Sequence, residues 1–303
     1  MRGLVAVVLA LVLAPAAHAR PLLGLFGGQA RFQQLTGQQT QVGHALFGWG
    51  QSSFDQVLPR LGAAPMIALV EGPITPLAIA QGRGDDYLFA LNSSLSRWAR
   101  PAYVRPLPEM NGHWNSYCAY TKSGRSKGAA YSTAAFRKAF ARIYLIVHGG
   151  PAATINARLA ALKLPPISRD LPENPLPRVK VMWNPQGYGS PDLPGNSAQA
   201  YYPGDRYVDV VGNDLYFIRG KAEWAAAERL YKAHPSKPYA FAEWGLWGID
   251  DPSFITRMAQ FARSHARLEV LAWYNGQRGG VFDIGTKPRA RAAYRRLIVP
   301  LGA

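Results

Sequence analysis

The chain has one cysteine, Cys118, in 303 residues. That excludes an internal disulfide and any zinc site built on several thiolates. Its six histidines (His18, His44, His113, His148, His234 and His265) are never paired at ligand spacing, and no His-Glu-x-x-His occurs, so no metal is expected. Gly24, Gly27 and Gly28 do not form G-x-G-x-x-G, so neither a dinucleotide cofactor nor an open doubly wound sheet is indicated. No cofactor of any kind is expected. Acid is scarce: 18 Asp and Glu stand against 34 Lys and Arg, a formal charge of +16 with a pI near 10.1.

Long apolar runs are also lacking, apart from the one between Leu4 and Ala14 behind Met1-Arg2-Gly3. It falls short of the roughly 20 residues that span a bilayer, which disfavours a membrane anchor. The small-x-small exit Ala17-His18-Ala19 makes residues 1–19 a secretory signal peptide with cleavage after Ala19. The expected product is a soluble monomer, secreted or periplasmic, formed by residues 20–303 as one domain. Its charge favours polyanions such as an anionic cell wall, matrix or acidic polysaccharide. Nucleic acid is not expected, because the cations are spread along the chain. Arg289, Arg291, Arg295 and Arg296 approach a cluster, but on a terminal helix they read as a solvated face.

What the chain does have is alternation. Strands are expected at 22–26, 41–47, 65–70, 102–105, 178–183, 207–211 (with an extension to 216), 238–242 and 268–273. Helices are expected between several of them. One is capped by Thr133 and carries Phe136, Phe140, Ile143 and Val147 on one face. Another opens at Asp251-Pro252, with Phe254, Met258, Phe261 and His265 a turn apart. Two more cover 85–99 and 221–233. Eight strand–helix units over roughly 280 residues predict a (β/α)8 TIM barrel. The proline-rich stretch 162–177 reads as an ordered surface loop, not as a hinge between domains.

Two glutamates end apolar strands and are each followed by a tryptophan and a glycine: Glu109 in Arg105-Pro106-Leu107-Pro108-Glu109-Met110-Asn111-Gly112, and Glu243 in Phe241-Ala242-Glu243-Trp244-Gly245. By count they close the fourth and seventh strands, across the barrel mouth from one another. A buried glutamate is costly unless paired. Two carboxylic acids, one protonated and one ionised, are what most glycoside hydrolases use. Structural carboxylates holding Arg105 are the plainer alternative.

The wording around both acids resembles glycoside hydrolase family 26, whose best-known members are secreted β-mannanases. The segment 105–112 with Trp114 is similar to the family's acid/base segment. Val181-Met182-Trp183-Asn184-Pro185, Tyr202-Pro203-Gly204-Asp205, Asn213-Asp214-Leu215-Tyr216 and Lys237-Pro238 through Gly245 are similar to its later strands. The resemblance implies a retaining double displacement with Glu109 as acid/base and Glu243 as nucleophile. It further implies Tyr216 orienting Glu243, and Trp273 and Trp114 as sugar platforms. Asn184, Trp183 and Arg105 would lie at the cleft, with a structural salt link between Arg105 and Asp214. The chain departs from the family at Pro108, where a histidine is usual; His113 is the nearest ring that could take its space. The default expectation is an endo-acting hydrolase of β-linked polysaccharide, β-1,4-mannan first. The competing readings are a carbohydrate- or wall-binding barrel without efficient chemistry, and a surface protein whose charge is its function.

Overall fold

The computed structural model describes residues 20–70 and 72–303; the expected leader at 1–19 lies outside them. Eight parallel strands close into one barrel in sequence order: β1 (Leu22–Gly27), β2 (Val42–Gly48), β3 (Met66–Val70), β4 (Ala102–Pro106), β5 (Val179–Trp183), β6 (Val210–Phe217), β7 (Tyr239–Leu246) and β8 (Leu268–Gly276). β1 pairs with β8, Leu22 opposite Val270, which completes the cylinder. Around it run α1 (Gln29–Thr36), α2 (Phe54–Val57), α3 (Pro76–Ala80), α4 (Asp85–Trp98), α5 (Thr133–His148), α6 (Ala152–Ala161), α7 (Trp224–Ala233), α8 (Pro252–Ser264) and α9 (Pro288–Leu297). The expected (β/α)8 barrel is the observed fold.

Two cores follow from the period-two alternation of the strands. Val42, Met66, Tyr103, Met182, Val210, Ala240, Ala242, Val270 and Ala272 fill the barrel axis. The opposite faces pack outward against the helices, and there Phe136, Phe140, Ile143 and Val147 form the buried stripe of α5. α8 begins as expected: Asp251 Oδ1 accepts from Ser253 N at 2.7 Å and Phe254 N at 3.2 Å, with Pro252 in the first turn.

Five boundaries differ from expectation. α5 is capped by Ser132, whose Oγ accepts from Ala135 N, so Thr133 is already helical. β6 begins at Val210, because Asp205–Tyr207 form a 3-10 turn after the left-handed Gly204. β7 and β8 run on to Leu246 and Gly276, past the apolar runs that marked them. α7 begins only at Trp224, because Ile218 and Lys221 pair backbone to backbone and close a hairpin at the end of β6.

Candidate active site

β4 ends at Pro106, and the chain then turns through Leu107 and Glu109, whose φ values are +48° and +53°. The left-handed region is costly for any residue with a Cβ, and such strain gathers at functional sites. Neighbours pin the turn. Leu107 N donates to Leu69 O (2.8 Å), Glu109 N to Asn184 O (2.7 Å), and Tyr117 OH to the Pro108 carbonyl (2.6 Å). Gly112 makes room for an indole: a Cβ there would lie 2.4 Å from Trp114 Cε2. Trp114 therefore folds back, and its Nε1 donates to Glu109 Oε2 at 2.6 Å. Gln186 Nε2 donates to the other oxygen, Oε1.

Glu243 reaches the same place by a strand irregularity. β6 and β7 pair Asn213 with Phe241 and then Asp214 with Glu243, so Ala242 is an extra residue; β7 also slips against β8 between Phe241 and Trp244. Bulges of this kind re-aim side chains. Ala240 and Ala242 face the barrel axis, yet after the bulge Glu243 turns into the mouth and Trp244 turns out to the helix layer.

Between the acids lies Arg105, only 1% exposed. Its Nη1 donates to Glu243 Oε1 at 2.5 Å and its Nη2 to Asp214 Oδ2. Tyr216 OH donates to Glu243 Oε2 at 2.5 Å. His44, from β2, completes the floor: Nδ1 is 3.9 Å from Glu243 Oε1 and Nε2 is 3.5 Å from Arg105 Nη1.

These neighbours separate the proton affinities of the two glutamates. Burial raises the Glu109 carboxyl, and the negative Glu243 raises it further, against the smaller opposing pull of Arg105 and Trp114. Burial would raise Glu243 too, but the Arg105 guanidinium and the Tyr216 hydroxyl outweigh it and hold Glu243 below the usual carboxylate range. Burial pushes His44 down to about 3, so the imidazole is neutral and Arg105 is the cation that matters. Asp214 is raised well above its ordinary value, first by burial and then by the negative Glu243 and Glu109 nearby, against the pull of Arg105. Of the three carboxyls around this guanidinium, Glu109 and Asp214 are thus inclined to keep a proton and Glu243 to stay charged.

Both glutamates open onto one cavity of about 540 Å³, along with Trp114, Tyr188, Tyr216, Trp247, Tyr274 and Phe282. Of the expected site residues, Glu109, Glu243, Tyr216 and Trp114 are brought together here, and the Arg105–Asp214 link is present. Four expectations are corrected. Arg105 lies beneath the acids with no surface for a sugar. Asn184 is fully buried, its Oδ1 pressed against Gly212, where a Cβ would come within 2.2 Å. Trp273 is 0% exposed, its Nε1 bonded to Asn275 and its ring edge-on to Trp244 at 4.8 Å, so it is core and not a platform. Trp183 is buried in the same way, against Tyr202 and His234. Tyr274 takes the place foreseen for Trp273, stacked on Phe26 at 4.5 Å. His113 supports Trp114 edge-on at 5.3 Å and bonds Ser190 Oγ through Nδ1. Gln186, Tyr188, Trp247 and Phe282 were not foreseen, since each stands in a loop whose path no strand or helix pattern encodes.

An acid pair at the mouth of a (β/α)8 barrel is the arrangement that most glycoside hydrolases use. The glycosyl hydrolase family 26 model matches residues 188–275, a span that includes Asp214, Tyr216 and Glu243 but not Arg105 or Glu109. The resemblance to family 26 is thereby borne out. Among curated proteins the chain is 24% identical to Endoglucanase H of Acetivibrio thermocellus, an alignment covering 88% of this chain and 28% of that protein. The chain therefore spans under a third of that relative's length. Among solved structures it superposes on a Bacillus subtilis mannanase with a TM-score of 0.56 at 17% identity, covering 93% of this chain and 86% of the other. A Bacteroides ovatus family 26 β-mannanase gives 0.54 at 16%, covering 91% and 87%. At these identities the structural likeness speaks for the fold.

Proposed function

We propose that the protein is an exported, retaining endo-β-glycosidase acting on a β-linked polysaccharide, with β-1,4-mannan or glucan as the backbone. The observation that carries this reading is the opposed tuning of two glutamates on one cavity: Glu109 inclined to keep a proton, Glu243 held ionised by Arg105 and Tyr216. That pairing is what acetal cleavage with retention requires. The relatives' names supply the backbone: one is called an endoglucanase, the others mannanases.

In the first step a Glu243 oxygen attacks the anomeric carbon. The glycosidic C–O bond breaks, and the Glu109 proton passes to the departing oxygen. This leaves a glycosyl ester on Glu243 and a carboxylate at Glu109. In the second step Glu109 takes a proton from water as the water oxygen attacks the same carbon, and Glu243 leaves as carboxylate. Arg105 stays bonded to Glu243 and Asp214 below the reaction. The cavity adjoins further hollows on two sides, one lined by Phe26, Gly276 and Phe282 and another by Tyr188, Ile218 and Trp247. An open groove of this shape suits cleavage within a chain.

The test is release of reducing ends from mannan, mixed-linkage glucan and xylan by the wild type and by Glu243→Ala, with the product anomer read by proton NMR. The wild type should release the β-anomer first from mannan or glucan, and the variant should release none. Equal release by both proteins would remove the glycosidase reading.

A further inference from the structure

The hollow beyond Tyr188 and Trp247 differs chemically from the catalytic cavity it adjoins. The two share Tyr188, Tyr216, Ile218, Glu223 and Trp247, so a polymer lying over the acids runs into it. Tyr188 and Trp247 offer exposed rings, which suit the apolar face of a pyranose. The residues it adds are Arg219, Lys221 and Ala222.

Arg219 and Lys221 stand on the hairpin that ends β6. Ile218 N donates to Lys221 O (2.9 Å) and Lys221 N to Ile218 O (3.1 Å), leaving Arg219 and Gly220 as the two turn residues at φ +51° and +83°. A two-residue turn with both φ positive favours Asn-Gly. An arginine held in the left-handed region is the disfavoured choice, so the turn's own geometry does not account for it. The acid lining this hollow, Glu223, is engaged by Lys221 Nζ at 3.0 Å. Arg219 is exposed and makes no hydrogen bond or ion pair among the described residues. Its guanidinium is therefore an uncompensated charge on a short, backbone-locked hairpin, facing a hollow with two exposed aromatic rings. A planar fork of N–H donors matches a carboxylate two bonds at a time.

We propose that this hollow is a subsite for a carboxylate-bearing sugar unit, and that the enzyme's preferred substrate is a β-glycan carrying uronic acid groups. The proposal rests on the glycosidase reading only for turnover; recognition of the acidic unit stands apart from it. The net charge of +16 draws such a polymer in, while Arg219 reads the substituent locally.

The experiment compares a neutral glucomannan with the same polymer lightly oxidised at C6 to uronate, using wild type, Arg219→Gln and Arg295→Gln. Arg295 is an exposed cation on α9 and controls for general charge attraction. Affinity electrophoresis gives binding without turnover, and reducing-end release gives kcat/KM. The wild type should bind the oxidised chain more tightly than the neutral one. Arg219→Gln should lower the oxidised-to-neutral ratio of affinity about tenfold, and the ratio of kcat/KM likewise, while Arg295→Gln keeps both ratios. If neither polymer is cut but the affinity ratio still falls in Arg219→Gln alone, the glycosidase reading fails and the subsite stands. If both arginine variants lower the ratio equally, or neither does, the subsite is overturned whatever the turnover.

Discussion

Tyr216 is the residue whose role can be isolated most cleanly. Its hydroxyl touches Glu243 Oε2, and a hydrogen bond to a charged group contributes about 1.5–3 kcal/mol. Tyr216→Phe should therefore lower kcat/KM by roughly 10- to 100-fold. It should also move the acid limb of the pH profile upward, because a donor lost from the ionised form makes Glu243 easier to protonate. A drop in rate with that limb unmoved would mean that Tyr216 serves packing alone. The wild-type profile has its own expected signs. Activity needs Glu243 ionised, so it falls as pH drops through a value below 4.5; it needs Glu109 protonated, so it falls as pH rises through a value above 4.5. A kcat/KM titration fixes both limbs. Both acids were readable from the chain, because charged residues closing apolar strands stand out in an acid-poor protein. Gln186 as Glu109's partner was not, since nothing local links Glu109 to a residue 77 positions further on.

His44 carries the stability prediction at the same scale. Its folded value of about 3 lies below its unfolded value of 6.5, so at acid pH the unfolded chain takes up a proton that the folded one refuses. Stability should be full above pH 6.5 and fall progressively toward pH 3, by up to roughly 4 kcal/mol. Glu109 and Asp214 have raised folded values and the opposite sign, their contribution fading as pH rises. Urea midpoints across pH for wild type and His44→Gln separate the two, because both carboxyls remain in the variant. Parallel curves would show that the imidazole does not titrate with unfolding.

Strands were legible as apolar runs and helices as stripes, but which face of a strand looks inward was not. Trp273 and Tyr274 are neighbours on β8; alternation sends one to the helices and the other to the mouth, and the larger ring is not the one in the mouth. The bulge at Ala242 matters more. With unbroken alternation after Ala240 and Ala242, Glu243 would face the helices, and no composition signal announces the slip. Deleting Ala242 should remove the slip and leave Phe241 outward, Glu243 inward and Trp244 outward in plain alternation, so part of the activity should survive; loss of all activity with the barrel intact by circular dichroism would show that the bulge also sets how Glu243 meets its partners. Glycine marks a tighter constraint on β2. A Cβ on Gly43 would fall 2.0 Å from the Leu61 carbonyl oxygen, which is backbone and cannot swing aside. Gly43→Ala should destabilise by about 1–3 kcal/mol, lowering Tm by roughly 2–10 °C; an unchanged melting curve would show that the 61–62 turn yields freely.

For the molecule as a whole, the alternation of eight units foretold the closed barrel, and the departures lie where short-range physics dominates: the Ser132 cap, the hairpin at the end of β6, the 3-10 turn before Val210. β1 and β8 stand at opposite ends of the polypeptide and are hydrogen-bonded neighbours. Until residues 268–276 emerge during synthesis, β1 and β7 each present a bare edge, and the cylinder cannot seal. Long-range pairing of this sort forms late and slowly. Were the chain exported, as proposed above, that delay would keep the barrel from sealing before translocation, with β8 as the latch.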